Sequence, residues 1–234
     1  MKPYYEKDGV VIYCGDCREL GAEMIYDNVI TDPPYGEWTH GNHLSKVVNR
    51  KGLGFHSIGK VELLDLVVEW VEKSTSWVVF TCEWHYMHLL DEKGLLKRFG
   101  IWVKPNGAPQ FTGDRPGTGW EAVAVCHKSG KMKWNGGGKH AVWTIPRSNG
   151  GHPTAKPVRL VGEFIEQFTN QGSVVYDPFM GSGTTVVVAK LLNRKAIGIE
   201  VEERFCEIAA KQLEQTVIDF VPVKKTNRKH FFRG

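Results

Sequence analysis

Apolar positions along the chain follow two rhythms. Short runs rich in β-branched and aromatic residues, at 10–13, 28–31, 77–82, 101–103, 121–126, 174–176 and 196–199, predict strands. Longer stretches repeat at helical spacing. Leu63, Leu64, Val67, Val68 and Val71 form one apolar stripe, and Leu160, Val161, Phe164, Ile165 and Phe168 form another behind Pro157. Proline suits a first helical turn, because its missing N–H would have no partner there anyway. Phe205, Ile208, Ala209 and Leu213 mark a last helix. The strand at 28–31 runs into Asp32-Pro33-Pro34-Tyr35, and two prolines stop a central strand. Residues 36–59 carry glycine and histidine without periodicity and predict a long loop. The final third reads strand, glycine turn, helix, strand, acid. That is a βαβ unit, which implies an α/β fold with a mostly parallel sheet covered by helices.

Composition narrows the classes. The chain has 234 residues, enough for one domain and an appendage. At 41% hydrophobic and 24% charged residues it is neither disordered nor membrane-spanning in character. The N-terminal segment has acids and no apolar core, so no secretory signal is expected. The five cysteines are scattered and odd in number, which fits a reducing interior better than a disulfide framework. Cys14-x-x-Cys17 lacks a second close pair, so no metal is expected.

The net charge of +4 matters less than its distribution. Between Ala122 and Gly162 there is no acid, while Lys131, Lys133, Trp134, Lys139 and Arg147 fall inside that stretch. Lys46, Arg50 and Lys51 lie in the long loop, Lys104 precedes the basic stretch, and the tail after Asp219 is wholly basic. Basic residues interleaved with aromatics suit a polyanion with stackable bases. A solvated basic face accounts for any single patch equally well.

Two segments carry chemistry. In Asp177-Pro-Phe179-Met-Gly181-Ser-Gly183-Thr184, glycines at a strand-to-helix turn let backbone approach a ligand, and the helix start offers N–H groups to an anion. Glu200, at the next strand end, stands where an acid takes both hydroxyls of a ribose. A tight structural turn is the plain alternative for a lone Gly-x-Gly. No lysine follows the second glycine, and Val186 replaces the third glycine of a dinucleotide fingerprint, which disfavours a P-loop and an NAD-dependent oxidoreductase. The other segment, Asp32 to Tyr35, presents a carboxylate, a stiff carbonyl and an aromatic ring together. That set suits a planar heterocycle bearing an exocyclic amine; a proline-stopped turn is its bland counterpart.

Here a resemblance enters. Asp32-Pro-Pro-Tyr35 resembles the catalytic motif of amino-group DNA methyltransferases, and Asp177-Pro-Phe179-Met-Gly181-Ser-Gly183 resembles their S-adenosylmethionine (AdoMet) motif. The segment 152–157, His-Pro-Thr-Ala-Lys-Pro, is similar to the stretch before the cofactor strand, and 13–17 to the one that touches adenine. The catalytic motif comes first, which matches the permuted β class. The resemblance implies a Rossmann-like fold with residues 1–104 and 152–220 as the methyltransferase domain. It also implies a small recognition segment at 105–151 and a basic tail at 221–234. It implies that Asp32, Pro33, Pro34 and Tyr35 hold the target base. Asp177, Phe179, Gly181, Gly183 and Thr184 would line the cofactor, with Glu200 on its ribose and Asp16 and Cys17 near its adenine. His152, Thr154 and Lys156 would close over its carboxylate. Lys46, Arg50, Lys51, Lys104, Lys131, Lys133, Trp134, Lys139 and Arg147 would face DNA.

The implied activity is methyl transfer to adenine N6 in duplex DNA, because an aspartate rather than a serine opens the motif. Cytosine-N4, RNA or protein-amide transfer and a non-catalytic nucleic-acid-binding regulator are the alternatives. The implied setting is the cytoplasm of a bacterium or of a phage-infected host. The protein is expected as a monomer or homodimer, with a cognate restriction enzyme as a possible companion.

Overall fold

The computed structural model describes residues 2–34, 58–107, 109–111, 113–148 and 156–215. The elements in chain order are β1 (Tyr5–Lys7), β2 (Val10–Cys14), α1 (Cys17–Leu20), β3 (Asn28–Thr31), α2 (Lys60–Lys73), β4 (Val78–Cys82), α3 (Tyr86–Glu92) and β5 (Leu96–Val103), then β6 (Trp120–Cys126), β7 (Val142–Thr144), α4 (Val158–Phe168), β8 (Val174–Asp177), α5 (Thr184–Leu191), β9 (Lys195–Glu200) and α6 (Glu203–Glu214). Among the described residues the strands form one sheet in the order β1-β2-β9-β8-β3-β4-β6-β5-β7.

Strands β2, β9, β8, β3 and β4 run parallel. Their sequences are near-continuous apolar runs because both faces are covered. In β4 every residue is buried. Val79 packs with Leu160, Ile165, Val186 and Ala209 on one face, and Val78 and Phe80 pack with Leu63, Val67, Trp70 and Leu90 on the other. Helices α4–α6 therefore cover one face and α2–α3 the other. Each fully buried side chain of this size contributes roughly 1.5–3 kcal/mol.

The strands that the apolar pattern does not predict lie at edges. β1 is partly exposed and carries Glu6 and Lys7. The first half of β5 is polar and solvent-facing, with a bulge between Leu96 and Arg98. β7 has only three residues. The segment expected as a recognition insert, 105–151, contributes β6 and β7 to the sheet, and β6 joins β4 to β5. Of its described residues, only those in the loops at 105–119, 127–141 and 145–148 lie outside the sheet.

Two antiparallel relations set the functional geometry. β6 runs opposite to β4 and β5, so it begins at the edge where they end: Cys82 pairs with Ala122 and Val103 with Trp120. The chain moves outward from β3 through β4 and from β8 through β9 in opposite directions. The boundary between β3 and β8 is thus the topological switch point, where the carboxyl ends of parallel strands leave a crevice.

Candidate active site

Along that edge, successive strands present Asp16 (after β2), Glu200 (β9), Asp177 (β8), Asp32 (after β3), Thr81 (β4), Glu121 (β6) and Lys104 (after β5).

Asp32 is the centre of one half. Its Oδ2 receives Lys156 Nζ at 2.6 Å, and its Oδ1 accepts the Thr81 hydroxyl. Lys156 also lies 3.5 Å from Glu121 Oε2, while Lys104 Nζ is 3.0 Å from Glu121 Oε1. The Trp102 ring lies beneath both ammonium groups, 4.6 Å from Lys104 and 5.9 Å from Lys156. Burial raises the pKa of Asp32, with Lys156 opposing and Glu121 reinforcing the shift. Burial alone would discharge Lys156, but Asp32 and Glu121 outweigh it and raise its pKa. Each partner thus favours the charged form of the other.

Asp177 is the centre of the other half. Thr31 donates to its Oδ1 at 2.6 Å and the Phe179 N–H at 3.1 Å, and Thr185 adds a second hydroxyl. Burial pushes its carboxyl up to about 6 against the pull of those donors. Thr31 precedes Asp32, so one hydrogen bond ties the two strand ends together.

The glycine turn separates two requirements. Gly183, at φ +91°, has no room for a side chain: a Cβ would stand 2.5 Å from Ala209 Cβ of α6. Gly181, at φ +51°, has nothing within 4 Å of that position, so its bare backbone faces open space at the strand edge. Glu200 accepts from Gly181 N–H at 3.0 Å and Glu202 N–H at 2.9 Å, one on each oxygen, with the Val201 N–H a further donor, so at least one oxygen keeps a second acceptor site. Burial raises its pKa, opposed by those N–H groups. Phe179 rests edge-on against Trp70, with centroids 6.1 Å apart. An open glycine cradle beside a carboxylate with spare acceptor capacity fits a ribonucleoside cofactor.

The remaining residues singled out in the sequence divide. Asp16 caps α1 and binds the Arg18 guanidinium, which bridges to Glu62 at 2.6 Å. Cys17 lies buried under that turn, its thiol pushed up to about 12 by burial. All five cysteines are free thiols. Lys104, expected to face DNA, turns its ammonium inward to Glu121. Arg147 stands at the catalytic edge, locked to Asn106 by paired backbone and side-chain bonds. Lys131, Lys133, Trp134 and Lys139 do not join it, which corrects the expectation of a single DNA-facing segment. β6 enters at the catalytic edge and leaves at the opposite one, so these four residues lie across the sheet from Asp32. There the Lys133 carbonyl accepts Trp77 Nε1 at 2.8 Å, and Trp134 packs against Phe168. Tyr35, Lys46, Arg50, Lys51, His152, Thr154 and the tail lie outside the described residues. Thr81, Glu121 and Thr185 were not anticipated, since nothing local in the sequence aligns them with Asp32 or Asp177.

Comparison with known proteins identifies the chain's relatives. A family model described as DNA methylase matches residues 26–211. The Type II methyltransferase M2.MboI of Moraxella bovis is 27% identical, covering 100% of this chain and 97% of its own length. M.HinfI of Haemophilus influenzae, also Type II, is 33% identical over 86% of this chain and 67% of its own. Among solved structures, the M1.HpyAVI–SAM complex superposes with a TM-score of 0.65 at 27% identity, covering 88% of this chain and 99% of that one. With the family match spanning both strand ends and the glycine turn between β8 and α5, the chain belongs to the DNA methylase family of N6 and N4 amino-methyltransferases.

Proposed function

We propose that this DNA methyltransferase uses AdoMet to methylate the N6 amine of an adenine flipped out of duplex DNA. The observation that carries the reading is Asp32, a carboxyl held by Lys156 and Thr81 at the switch point beside the cradle of Gly181 and Glu200. An exocyclic amine is a weak nucleophile because its lone pair is delocalised into the ring. Asp32 accepts one amine N–H and the Pro33 carbonyl accepts the other. These bonds strengthen as the nitrogen becomes pyramidal and positive, so they favour the transition state over the ground state. When bound, the cofactor supplies a methyl group already activated on a sulfonium sulfur. The protein's remaining task is alignment. A base stacked in a duplex is out of reach of a crevice at a sheet edge, so the target must leave the helix.

Cofactor use is supported by the SAM complex of the structural relative and by the glycine cradle. DNA contact is supported by what rises from the same edge. Trp84 follows β4, exposed and stacked on His85 at 3.7 Å, Phe111 is exposed on the β5–β6 connection, and Trp120 is exposed at the start of β6. The adenine assignment rests on Asp32 opening the motif. Incubation with methyl-labelled AdoMet and unmethylated duplex DNA, followed by nucleoside mass spectrometry, tests it. N6-methyladenine is expected; N4-methylcytosine would overturn the base assignment, and unlabelled DNA would overturn the activity.

A further inference from the structure

We infer that Lys156 is a positioning residue that fixes the Asp32 carboxylate, rather than a clamp on the cofactor's carboxylate. The inference rests on the reading of Asp32 as acceptor for the target amine.

Four charges alternate along the sheet edge: Asp32, Lys156, Glu121, Lys104. The contacts are 2.6, 3.5 and 3.0 Å in that order. The side chains of Lys156, Lys104 and Glu121 are 14%, 15% and 17% exposed, against 29% for Asp32. The series is closed at its inner end and open only at Asp32. Two carboxylates and two ammonium groups cancel, so the cluster brings no net charge into the interior.

Each neighbour removes a freedom from the next. Lys156 and the Thr81 hydroxyl occupy one site on each Asp32 oxygen, which fixes the carboxylate plane and leaves the remaining acceptor sites for the target amine. Glu121 holds the Lys156 ammonium from behind, and the Trp102 ring covers it. Swinging Lys156 to an external carboxylate would leave Asp32 with no cation beside it and Glu121 with Lys104 alone, an arrangement a largely buried site disfavours. Lys104 neutralises the second oxygen of Glu121, so Glu121 restrains Lys156 without competing fully for it.

The alternative role has a different signature. A lysine on the cofactor carboxylate governs cofactor affinity, whereas a lysine on Asp32 governs the protonation and orientation of that aspartate. Among the described residues, the titratable groups facing Asp32 are Lys156, Glu121, Asp177 and the Cys82 thiol, which burial keeps protonated. Asp177 and Cys82 are common to every variant below, so differences between variants report on the cluster.

The test compares the full-length wild type with Lys156→Met, Lys156→Arg and Glu121→Gln. Three readouts are used: AdoMet affinity by calorimetry, single-turnover transfer to duplex DNA across pH, and the 13C carboxyl titration of Asp32 without DNA. For K156M we expect an AdoMet affinity within about 3-fold of wild type, transfer slowed roughly 100-fold, and the acid limb and the Asp32 titration displaced to higher pH. K156R should recover most of the rate and restore the limb, because the positive charge returns. E121Q should displace both in the opposite direction, to lower pH, because it removes the carboxylate that raises Asp32. E121Q keeps the size of the side chain, so it decides the matter should K156M fail to fold. A cofactor affinity that collapses in K156M with an unmoved Asp32 titration would overturn the inference, as would an unmoved titration in E121Q. A wild type that leaves DNA unlabelled would instead sink the proposed function, while the Asp32 titrations still report on the cluster.

Discussion

Two aspartates at the ends of neighbouring parallel strands begin almost the same tripeptide. Asp32-Pro33-Pro34 follows β3, and Asp177-Pro178-Phe179 closes β8. Their surroundings differ. Asp32 is 29% exposed at the side chain and faces an ammonium. Asp177 is 3% exposed and is held only by hydroxyls and a backbone N–H. Cationic partnership preserves charge where chemistry needs an acceptor. Neutral donors hold a strand end in place while leaving the carboxyl close to titrating near pH 6. An Asp-Pro at a strand end is thus an offer of a carboxylate at the crevice, and the neighbours decide whether it is a reagent or a fastener.

The comparison predicts unequal losses. Asp32→Ala should reduce single-turnover transfer by roughly 1000-fold or more, the scale of removing a transition-state contact, with AdoMet affinity within a few-fold. Asp177→Asn, which keeps an acceptor for Thr31, should lose far less. Equal losses of transfer in the two variants would erase the distinction.

The next effect is on stability against pH. The folded-state pKa of Asp177 is raised, so its folded form binds a proton more tightly than the unfolded chain does. The stability linked to that proton is fully present below the ordinary aspartate value near 3.8 and is lost as pH rises through about 6. Asp177→Asn does not titrate. Relative to wild type it should therefore gain stability between pH 4 and 7, up to about 3 kcal/mol for a carboxyl raised from 3.8 to about 6. Denaturant melts at several pH values measure this; parallel pH profiles of the two proteins would contradict it.

Glu200→Gln sharpens the contrast from the cofactor side. The amide still accepts from Gly181 or Glu202 but loses the charge-assisted bonds to a ribose, worth about 1.5–3 kcal/mol. Calorimetry should show AdoMet affinity lower by roughly 10- to 100-fold, with transfer at saturating cofactor little changed. The smallest effects separate the two glycines. Gly183→Ala should destabilise the fold by about 1–3 kcal/mol, because its Cβ meets Ala209. Gly181→Ala should cost only about 1–2 kcal/mol from its left-handed backbone and should instead weaken AdoMet binding.

Much of this layout was legible in the chain. The strands at 28–31, 77–82, 121–126 and 174–176 announce themselves because both faces are buried and most positions are apolar. Asp32, Asp177 and Glu200 stand out because each follows such a run, where a charge marks the strand's emergence at the edge. β1, β7 and the first half of β5 escape the pattern because edge strands bury too little to impose it. The basic stretch after Ala122 was read as one surface, yet Arg147 lies at the catalytic edge and Lys131, Lys133 and Lys139 lie at the other. Charge is visible in a sequence, but the direction of β6 is not.

The sequence by itself determined the alternation of elements, the order of the motifs and the identity of the strand-end acids, because hydrophobic periodicity and proline stops act over a few residues. The tertiary structure decided which residues surround those acids. Lys156, Thr81, Glu121 and Lys104 come from four separate stretches: the order β3-β4-β6-β5, with β6 reversed, lines up Thr81, Glu121 and Lys104 beside Asp32, and the segment before α4 brings Lys156 between Asp32 and Glu121. Charge interactions fall off over a few ångströms in space without regard to separation along the chain, so the chemistry of Asp32 is written in the sheet order rather than in its motif.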